Sequence, residues 1–166
     1  MDVKEMITEA FASESQANKK FTAFAKKAEE EGFHNIAQMF RAAALSRMVE
    51  SYAHLGVMDA VKTTQENLNA MIATMEEENS KTYKKYLEDA KKEGNTSVMR
   101  AFQSVVEANT AYLDILKKAQ EALKSNKDAE QKKCNVCDTC GYVIMGELVD
   151  PCSVCGAAVE QFSAVE

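Results

Sequence analysis

Four cysteines near the C-terminus have the spacing of a metal site. Cys137 and Cys140 form one Cys-x-x-Cys pair, and Cys152 and Cys155 form a second pair after eleven intervening residues. Each pair makes a tight turn with two thiolates on one side, and two facing turns make a tetrahedral sulfur cage that suits Zn²⁺ or iron. A segment of about 35 residues is too small to fold on its own core, so bound metal would supply the missing folding free energy. The spacing predicts one ion held by these four residues and leaves iron and zinc as alternatives.

The fifth cysteine, Cys134, offers a second way to choose four ligands, because it also forms a Cys-x-x-Cys pair with Cys137. Otherwise it is a spare thiol on the linker. Gly141 and Gly156 each follow a cysteine pair, and glycine there allows the backbone turn that aims amide groups at the sulfurs. We take Cys137, Cys140, Cys152 and Cys155 as the metal ligands.

A second group of polar residues interrupts the apolar faces of four predicted helices. Steps of three and four residues put each member on the same face as its apolar neighbours. Buried charges are costly unless they are paired or bind metal, and clustered carboxylates inside a four-helix bundle form di-metal sites. The group consists of Glu14, Arg47, Glu50, Glu78 and Asn109.

A carboxylate di-metal site takes one Glu from each of two helices and a Glu-x-x-His motif from each of the other two. Glu14 and Glu78 can supply the first two ligands. Neither Glu-x-x-His motif is present. The segments at their places are Arg47-x-x-Glu50 and Asn109-x-x-Tyr112.

Four long helices, at about 3–30, 33–56, 64–92 and 96–124, would position these residues. One proline and six glycines in 166 residues leave few helix breakers. Gly32 and Gly94 are expected to end two helices, and the segment Asn95-Thr96-Ser97 offers N-caps for the last one. Short loops make neighbouring helices antiparallel. We therefore expect a mainly α fold: a four-helix bundle over residues 1–125, a linker over 126–133 and a small metal-bound domain over 134–166.

The helical part contains an internal repeat with an offset of 62 residues. It predicts two copies of one helical hairpin, packed about a pseudo-twofold axis. The matched pairs are Phe21 with Tyr83, Phe24 with Tyr86, Ala28 with Ala90, Glu31-Gly32 with Glu93-Gly94, Ile36 with Val98 and Phe40 with Phe102.

Composition narrows the function classes. The chain is 46% apolar and 28% charged, as in globular proteins, and its net charge of −6 disfavours nucleic acid as a partner. No apolar run has the length of a membrane span, and the N-terminus does not read as a signal peptide. We expect a cytoplasmic protein, in which clustered cysteines bind metal rather than form disulfides.

Several motifs resemble the rubrerythrin family over nearly the whole chain. They are Glu-Ser-Gln-Ala at residues 14–17, the segments 26–33 and 66–68, Glu78 with Tyr83, and the two cysteine pairs. The resemblance implies a ferritin-like four-helix bundle followed by a rubredoxin-like domain. It also implies a di-iron centre that reduces hydrogen peroxide, an FeS₄ centre that passes electrons to it, and a head-to-tail homodimer.

The di-iron centre that the resemblance implies is degenerate in this chain. Only Glu14 and Glu78 keep the family's ligand type, and Phe21 stands where the family usually has Tyr. The seven positions of the centre fall on Glu14, Arg47, Glu50, Met75, Glu78, Asn109 and Tyr112.

Arg47 would place a permanent positive charge among the carboxylates of this group. Its guanidinium is permanently charged and can bind two carboxylates through forked hydrogen bonds. Our hypothesis is that Arg47 bridges Glu14, Glu78 and Glu50 in place of two metal ions. The alternatives are a shifted metal site, in which Glu50 and His54 join Glu14 and Glu78, and polar residues that simply face water.

Three functions follow. The first is one-electron transfer through a rubredoxin-like Fe(Cys)₄ centre to a redox partner protein, with the di-iron site lost. The second is a peroxide-reducing enzyme with altered ligands. The third is a protein-interaction module in which zinc bound by the four cysteines has a structural role only. No residue is assigned a catalytic role, and neither nucleic acid nor membrane is expected as a partner.

Overall fold

The structure is a computed structural model that describes residues 2–130 and 132–165. The chain divides into two compact units, one ending at Lys62 and the other beginning at Thr63. The first unit is a hairpin of two helices, α1 (Val3–Glu30) and α2 (His34–Val57). The second holds α3 (Thr64–Glu77), α4 (Tyr83–Lys92) and α5 (Thr96–Lys124), followed by a small sheet.

Local signals explain where α1 begins and ends. Asp2 caps the helix, because its carboxylate accepts a hydrogen bond from the Glu5 amide at 2.8 Å while Glu5 bonds back to the Asp2 amide. Gly32 then takes a φ of +83°, which glycine adopts without the strain that a side chain would bring, and the chain reverses into α2.

Small side chains let α1 and α2 approach closely. Ala28, Ala37 and Ala44 are buried, and so is Ser51 on the same face of α2. The Asn18 amide crosses the contact and donates to the Ala44 carbonyl at 2.8 Å. These small residues bury little apolar surface each, but their size lets the two helices pack closely.

The third predicted helix, 64–92, begins and ends where predicted, but it contains a π-helical turn that the sequence did not indicate. Glu78–Thr82 forms a π-helical turn between α3 and α4. A π turn adds one residue to a helix, a change too small to alter the apolar pattern on either side. The other three predicted helices agree with the structure to within one residue.

The internal repeat is confirmed by two matching aromatic clusters. Phe21, Phe24 and Phe40 meet in the first hairpin, with ring centroids 5.7 to 6.3 Å apart. The equivalent residues of the second hairpin also meet, at 5.3 to 6.0 Å. They are Tyr83, Tyr86 and Phe102.

The π turn changes the offset of this repeat. The capping box of α3 pairs Thr63 with Glu66, 61 residues after Asp2 and Glu5, whereas Gly94 follows Gly32 by 62. The extra residue therefore lies between these points, where the π turn is. Before the turn, Glu14 is equivalent to Met75; after it, Arg47 is equivalent to Asn109.

The C-terminal part is a three-stranded antiparallel sheet in the order β2-β1-β3. Its strands are β1 (Cys134–Cys137), β2 (Val143–Met145) and β3 (Phe162–Val165). Cys134 pairs with Met145 on one side, and Cys137 with Phe162 on the other. β2 packs against α5 within the second unit. Of the helices that the structure describes, none has the length and apolarity to cross a membrane.

Candidate metal centre

Two nearly identical turns carry the four cysteines. In the first, the Gly141 amide donates to the Cys137 carbonyl and the Cys137 amide to the Tyr142 carbonyl, at 2.8 and 2.9 Å. In the second, Gly156 bonds to Cys152 in the same way, and the Cys152 amide bonds to Ala157, both at 2.8 Å. Gly141 and Gly156 have φ values of +77° and +76°, as the turn requires.

The two turns face each other and bring four sulfurs together. The Sγ atoms of Cys137, Cys140, Cys152 and Cys155 all lie within 4.8 Å of one another. Two of the pairs, Cys137 with Cys155 and Cys140 with Cys152, have their sulfurs 3.6 Å apart. Metal–sulfur bonds of about 2.3 Å in a tetrahedron place sulfurs about 3.8 Å apart. The cage therefore fits a tetrahedral thiolate-bound ion.

The four cysteines differ in their pKa values and in their burial. Burial raises the pKa of Cys137, but hydrogen bonds from the Cys140 and Thr139 amides outweigh it and lower the pKa to about 7. Burial raises the pKa of Cys140 and of Cys155. Cys137 and Cys152 are buried, and Cys155 is exposed. Cys140 is partly buried, so Cys155 is the ligand nearest to solvent, and bound metal would hold all four as thiolates.

Cys134 does not join this group. It lies on β1 opposite Met145 and is partly exposed, and its sulfur is not among the four that converge. In the described part of the chain these four are the only group of three or more Cys, His, Asp or Glu side chains placed to share an ion. The structure thus favours the first of the two ligand sets considered from the spacing.

The polar residues of the first hairpin form an ion triad. Nη1 of Arg47 donates to Oε2 of Glu14 at 2.9 Å and to Oε2 of Glu50 at 3.0 Å. The hydrogen bond to Glu14 raises the pKa of Arg47, and the negative charges of Glu14 and Glu50 raise it further. The guanidinium is therefore a fixed cation between two carboxylates.

The equivalent residues of the second hairpin are apolar or neutral. Met75 is buried with Ile72 and Leu113, and Tyr112 packs against this cluster. Nδ2 of Asn109 donates to Oδ1 of Asn79 at 3.2 Å. Four metal-ligand positions that the resemblance implied are thus Arg47, Met75, Asn109 and Tyr112, none of which supplies a carboxylate or imidazole.

Glu78 lies in the second unit, at the start of the π turn, and is partly buried. The predicted bridge from Arg47 to Glu78 stays a prediction. Within either unit, Glu50 and His54 form no metal-binding group with a third ligand, which gives no support to the shifted site.

Sequence reasoning missed two groups of polar contacts, one around Asn79 and one around Glu29. Asn79 accepts a hydrogen bond from Asn109 and donates one to Oγ1 of Thr110 at 3.4 Å. Its spacing of four residues from Met75 could have indicated these contacts. Glu29 binds both His34, at 2.6 Å, and Arg41, at 2.9 Å, on the surface of the first hairpin. Glu29 and Arg41 are twelve residues apart and lie on two different helices, so no local sequence pattern indicates their contact.

Comparison with known proteins places these features in context. The family model described as Rubrerythrin matches residues 5–120. Rubrerythrin-2 of Clostridium acetobutylicum is 26% identical over 99% of this chain and 100% of its own length. Nigerythrin of Nitratidesulfovibrio vulgaris is 27% identical over 96% of this chain and 85% of its own length. Rubrerythrin of Porphyromonas gingivalis is 29% identical over 81% of this chain and 75% of its own length.

Solved structures share the fold. Nigerythrin in its mixed-valence state matches with a TM-score of 0.57 and 24% identity, covering 99% of this chain and 87% of its own. The predicted fold class, a ferritin-like four-helix bundle followed by a small rubredoxin-like domain, is confirmed.

Proposed function

The chain belongs to the rubrerythrin family, and from this premise we propose that it transfers single electrons through an iron centre held by Cys137, Cys140, Cys152 and Cys155. We further propose that its helices hold no di-iron centre. The observation that carries the first proposal is the convergence of four sulfurs within 4.8 Å at the surface of the small domain. An iron ion held by four thiolates supplies one-electron exchange between ferric and ferrous states with little change of geometry.

Iron is favoured over zinc by the related structures. Nigerythrin has been solved in mixed-valence, partially reduced and fully reduced, all-ferrous states. In this chain, amide groups of the two turns point at the sulfurs, and hydrogen bonds to sulfur stabilise charge on a thiolate centre. The four residues also suit zinc, so metal analysis has to decide.

The loss of the di-iron centre is supported by both hairpins. A di-iron centre needs carboxylates to neutralise about four or more positive charges. In the first hairpin, Glu14 and Glu50 are already bound to the Arg47 cation. In the second, Met75 and Tyr112 belong to an apolar cluster. A metal at the residues of the first hairpin would meet a positive charge, and a metal at the residues of the second hairpin would lack ligands.

The partner that we propose for this centre is a redox protein with a positively charged surface. Residues 134–166 contain five acidic residues and no Lys or Arg, so they hold five of the six net negative charges of the chain. Complementary charge speeds the encounter of redox proteins, and the effect weakens as salt is added. The exposed Cys155 gives such a partner a short route to the site. We also propose a cytoplasmic location, which suits five free cysteines.

Metal content and visible absorption test the main proposal. Protein produced with ample iron is expected to hold about one iron per chain and to show an FeS₄ absorption that a reductant bleaches. Cys155→Ser is expected to lose the absorption. The matched control is Cys134→Ser, which removes the cysteine outside the cage and is expected to keep it.

Other results would support the other functions. About three irons per chain with NADH-linked peroxide turnover would favour a peroxide-reducing enzyme, the function implied by the family's di-iron centre. A colourless protein with one zinc would favour an interaction module.

The ion triad has its own test. Diffraction data at the iron edge are expected to place anomalous density only at the four cysteines. Iron density near Glu14 and Glu50, with Arg47 turned away, would contradict the proposal that a guanidinium replaces the metals.

A further inference from the structure

A carboxylate next to the candidate metal centre is held in place by the last strand of the sheet. Asp138 directly follows the ligand Cys137 in the chain. Oδ1 of Asp138 accepts a hydrogen bond from Oγ of Ser163 at 2.8 Å. The Asp138 amide donates to the Gln161 carbonyl, also at 2.8 Å. Both the side chain and the backbone of Asp138 are therefore bonded to the segment at the start of β3.

The register of the sheet explains why Asp138 and Ser163 meet. Val136 of β1 pairs with Ser163 of β3. Residues two apart along a strand lie on the same face, so Asp138 is a diagonal neighbour of Ser163. Contacts within the small domain alone thus fix the carboxylate one residue away from a metal ligand.

The second cysteine turn supplies an internal comparison. Cys152 has the place of Cys137 in that turn, so Ser153 is equivalent to Asp138. The second turn forms the same backbone hydrogen bonds without a carboxylate at this position. The geometry of the turn therefore does not require Asp138.

Asp138 brings a negative charge to a site that is itself negative. Residues 134–166 contain no Lys or Arg, and the two lysines just before them are paired with glutamates at 3.0 and 3.3 Å. Four thiolates around one iron have a net charge of about −1 in the ferric state and about −2 in the ferrous state. A carboxylate nearby therefore opposes the ferrous state more strongly than the ferric one.

We propose that Asp138, held in place by Ser163, lowers the reduction potential of the iron centre and so favours its ferric state. This rests on the function proposed above, in which the iron takes one electron from a redox partner and gives it up again. Net charge near a thiolate-bound iron is one of the factors that set its potential. Asp138 acts on the iron through its charge, and Ser163 is a positioning residue that keeps the carboxylate from turning into solvent.

Redox titration of the iron-loaded full chain tests the charge. At the applied potential that leaves the wild type half reduced, Asp138→Asn is expected to raise the ratio of ferrous to ferric iron about threefold. The amide keeps an acceptor for the Ser163 hydroxyl and loses the charge. The matched control is Glu147→Gln, which removes one negative charge near the opposite end of β1 and is expected to change the ratio much less. A shift for Asp138→Asn no larger than that for Glu147→Gln would overturn the proposal.

Ser163→Ala tests the positioning. It is expected to raise the same ratio by less than Asp138→Asn does, because the carboxylate stays but is no longer fixed. Added to Asp138→Asn, it is expected to have no further effect, since no charge is left to position. Shifts of the two substitutions that simply add would show that Ser163 does not act through Asp138.

Iron content and visible absorption separate this proposal from the function on which it rests. About one iron per chain and a reducible FeS₄ absorption in every variant, with equal potentials, would overturn the role of Asp138 and leave electron transfer standing. A chain that holds zinc, or shows no absorption that a reductant bleaches, would contradict electron transfer and the role of Asp138 together.

Discussion

Glu14 and Met75 hold equivalent places in the two hairpins, yet their surroundings are opposite. Glu14 accepts a hydrogen bond from a fixed cation, and Met75 is 7% exposed in an apolar cluster with Ile72 and Leu113. A carboxylate is stable at the first place because Arg47 compensates its charge. At the second place no such compensation exists, so the ligand that the family resemblance implies at position 75 could not be kept without its metal.

Met75→Glu tests this contrast. It is expected to lower the free energy of unfolding by about 3 kcal/mol or more, because a charged group would lie in an apolar cluster. Met75→Leu keeps the volume and is expected to cost less than about 1.5 kcal/mol. Urea unfolding at neutral pH measures both. Equal stability of the two variants, or a gain for Met75→Glu on adding iron, would contradict the assignment.

Glu29 predicts a pH dependence. Hydrogen bonds from Arg41 and then His34 lower the pKa of its carboxyl below the ordinary value of 4.5. A lowered folded pKa means that the stabilisation is fully present above the unfolded pKa and is lost as the pH falls through the folded one. Glu29→Gln should therefore destabilise at about pH 7, and its difference from the wild type should shrink as the pH falls through the lowered pKa of Glu29. Thermal unfolding across this range measures the difference, and replacing Arg41 and His34 by Gln should abolish it.

At the scale of elements, the π turn Glu78–Thr82 separates two registers of one helix. The faces of α3 and α4 each match α1, but at offsets of 61 and 62 residues. A one-residue insertion in an α-helix rotates everything beyond it by about 100°, and a π turn absorbs that rotation. The turn thus keeps Met75 and Tyr83 on the faces that their counterparts Glu14 and Phe21 use.

Deleting Ser80 is expected to convert the π turn to α-helix and leave both registers in place. Ser80 is exposed, so the free energy of unfolding should change by no more than about 1 kcal/mol.

The control deletion is Ala73, an exposed residue of α3 outside the turn. It should rotate the start of α3 by about 100° and take Ile72 out of its cluster, at a cost of about 2–5 kcal/mol. Urea unfolding compares the two. Equal losses would show that the π turn is not an insertion.

At the scale of the whole molecule, the helical part and the small domain draw on different sources of stability. In the helical part, side chains cap the N-termini of α1, α3 and α5, and each hairpin contains an aromatic cluster. The small domain has one apolar cluster, which consists largely of the cysteines themselves, with Ala157 and partly buried neighbours. Its order therefore depends on the ion.

Removal of the metal by a thiol-competing chelator is expected to unfold residues 134–165 and leave the helices folded. The metal absorption should disappear while the far-ultraviolet helical signal and its main thermal transition change little. Proteolysis should then cut within the small domain first. Loss of the helical signal together with the metal would show that the helices need metal too.

The sequence by itself determined the helix ends, the repeat and the four cysteine ligands. These depend on local chemistry: a capping side chain, a glycine with positive φ, or a spacing of two residues between thiols. It also identified Glu14, Arg47 and Glu50 as one polar group, because charges on an apolar face need partners.

Only the tertiary structure decided which partners they have. The approach of α1 and α2 placed Arg47 between Glu14 and Glu50, and packing put Met75 and Tyr112 in one apolar cluster. The π turn escaped the sequence because one added residue leaves the apolar pattern on each side intact. The contact of Glu29 with Arg41 escaped it because residues on two helices meet only after the hairpin has closed.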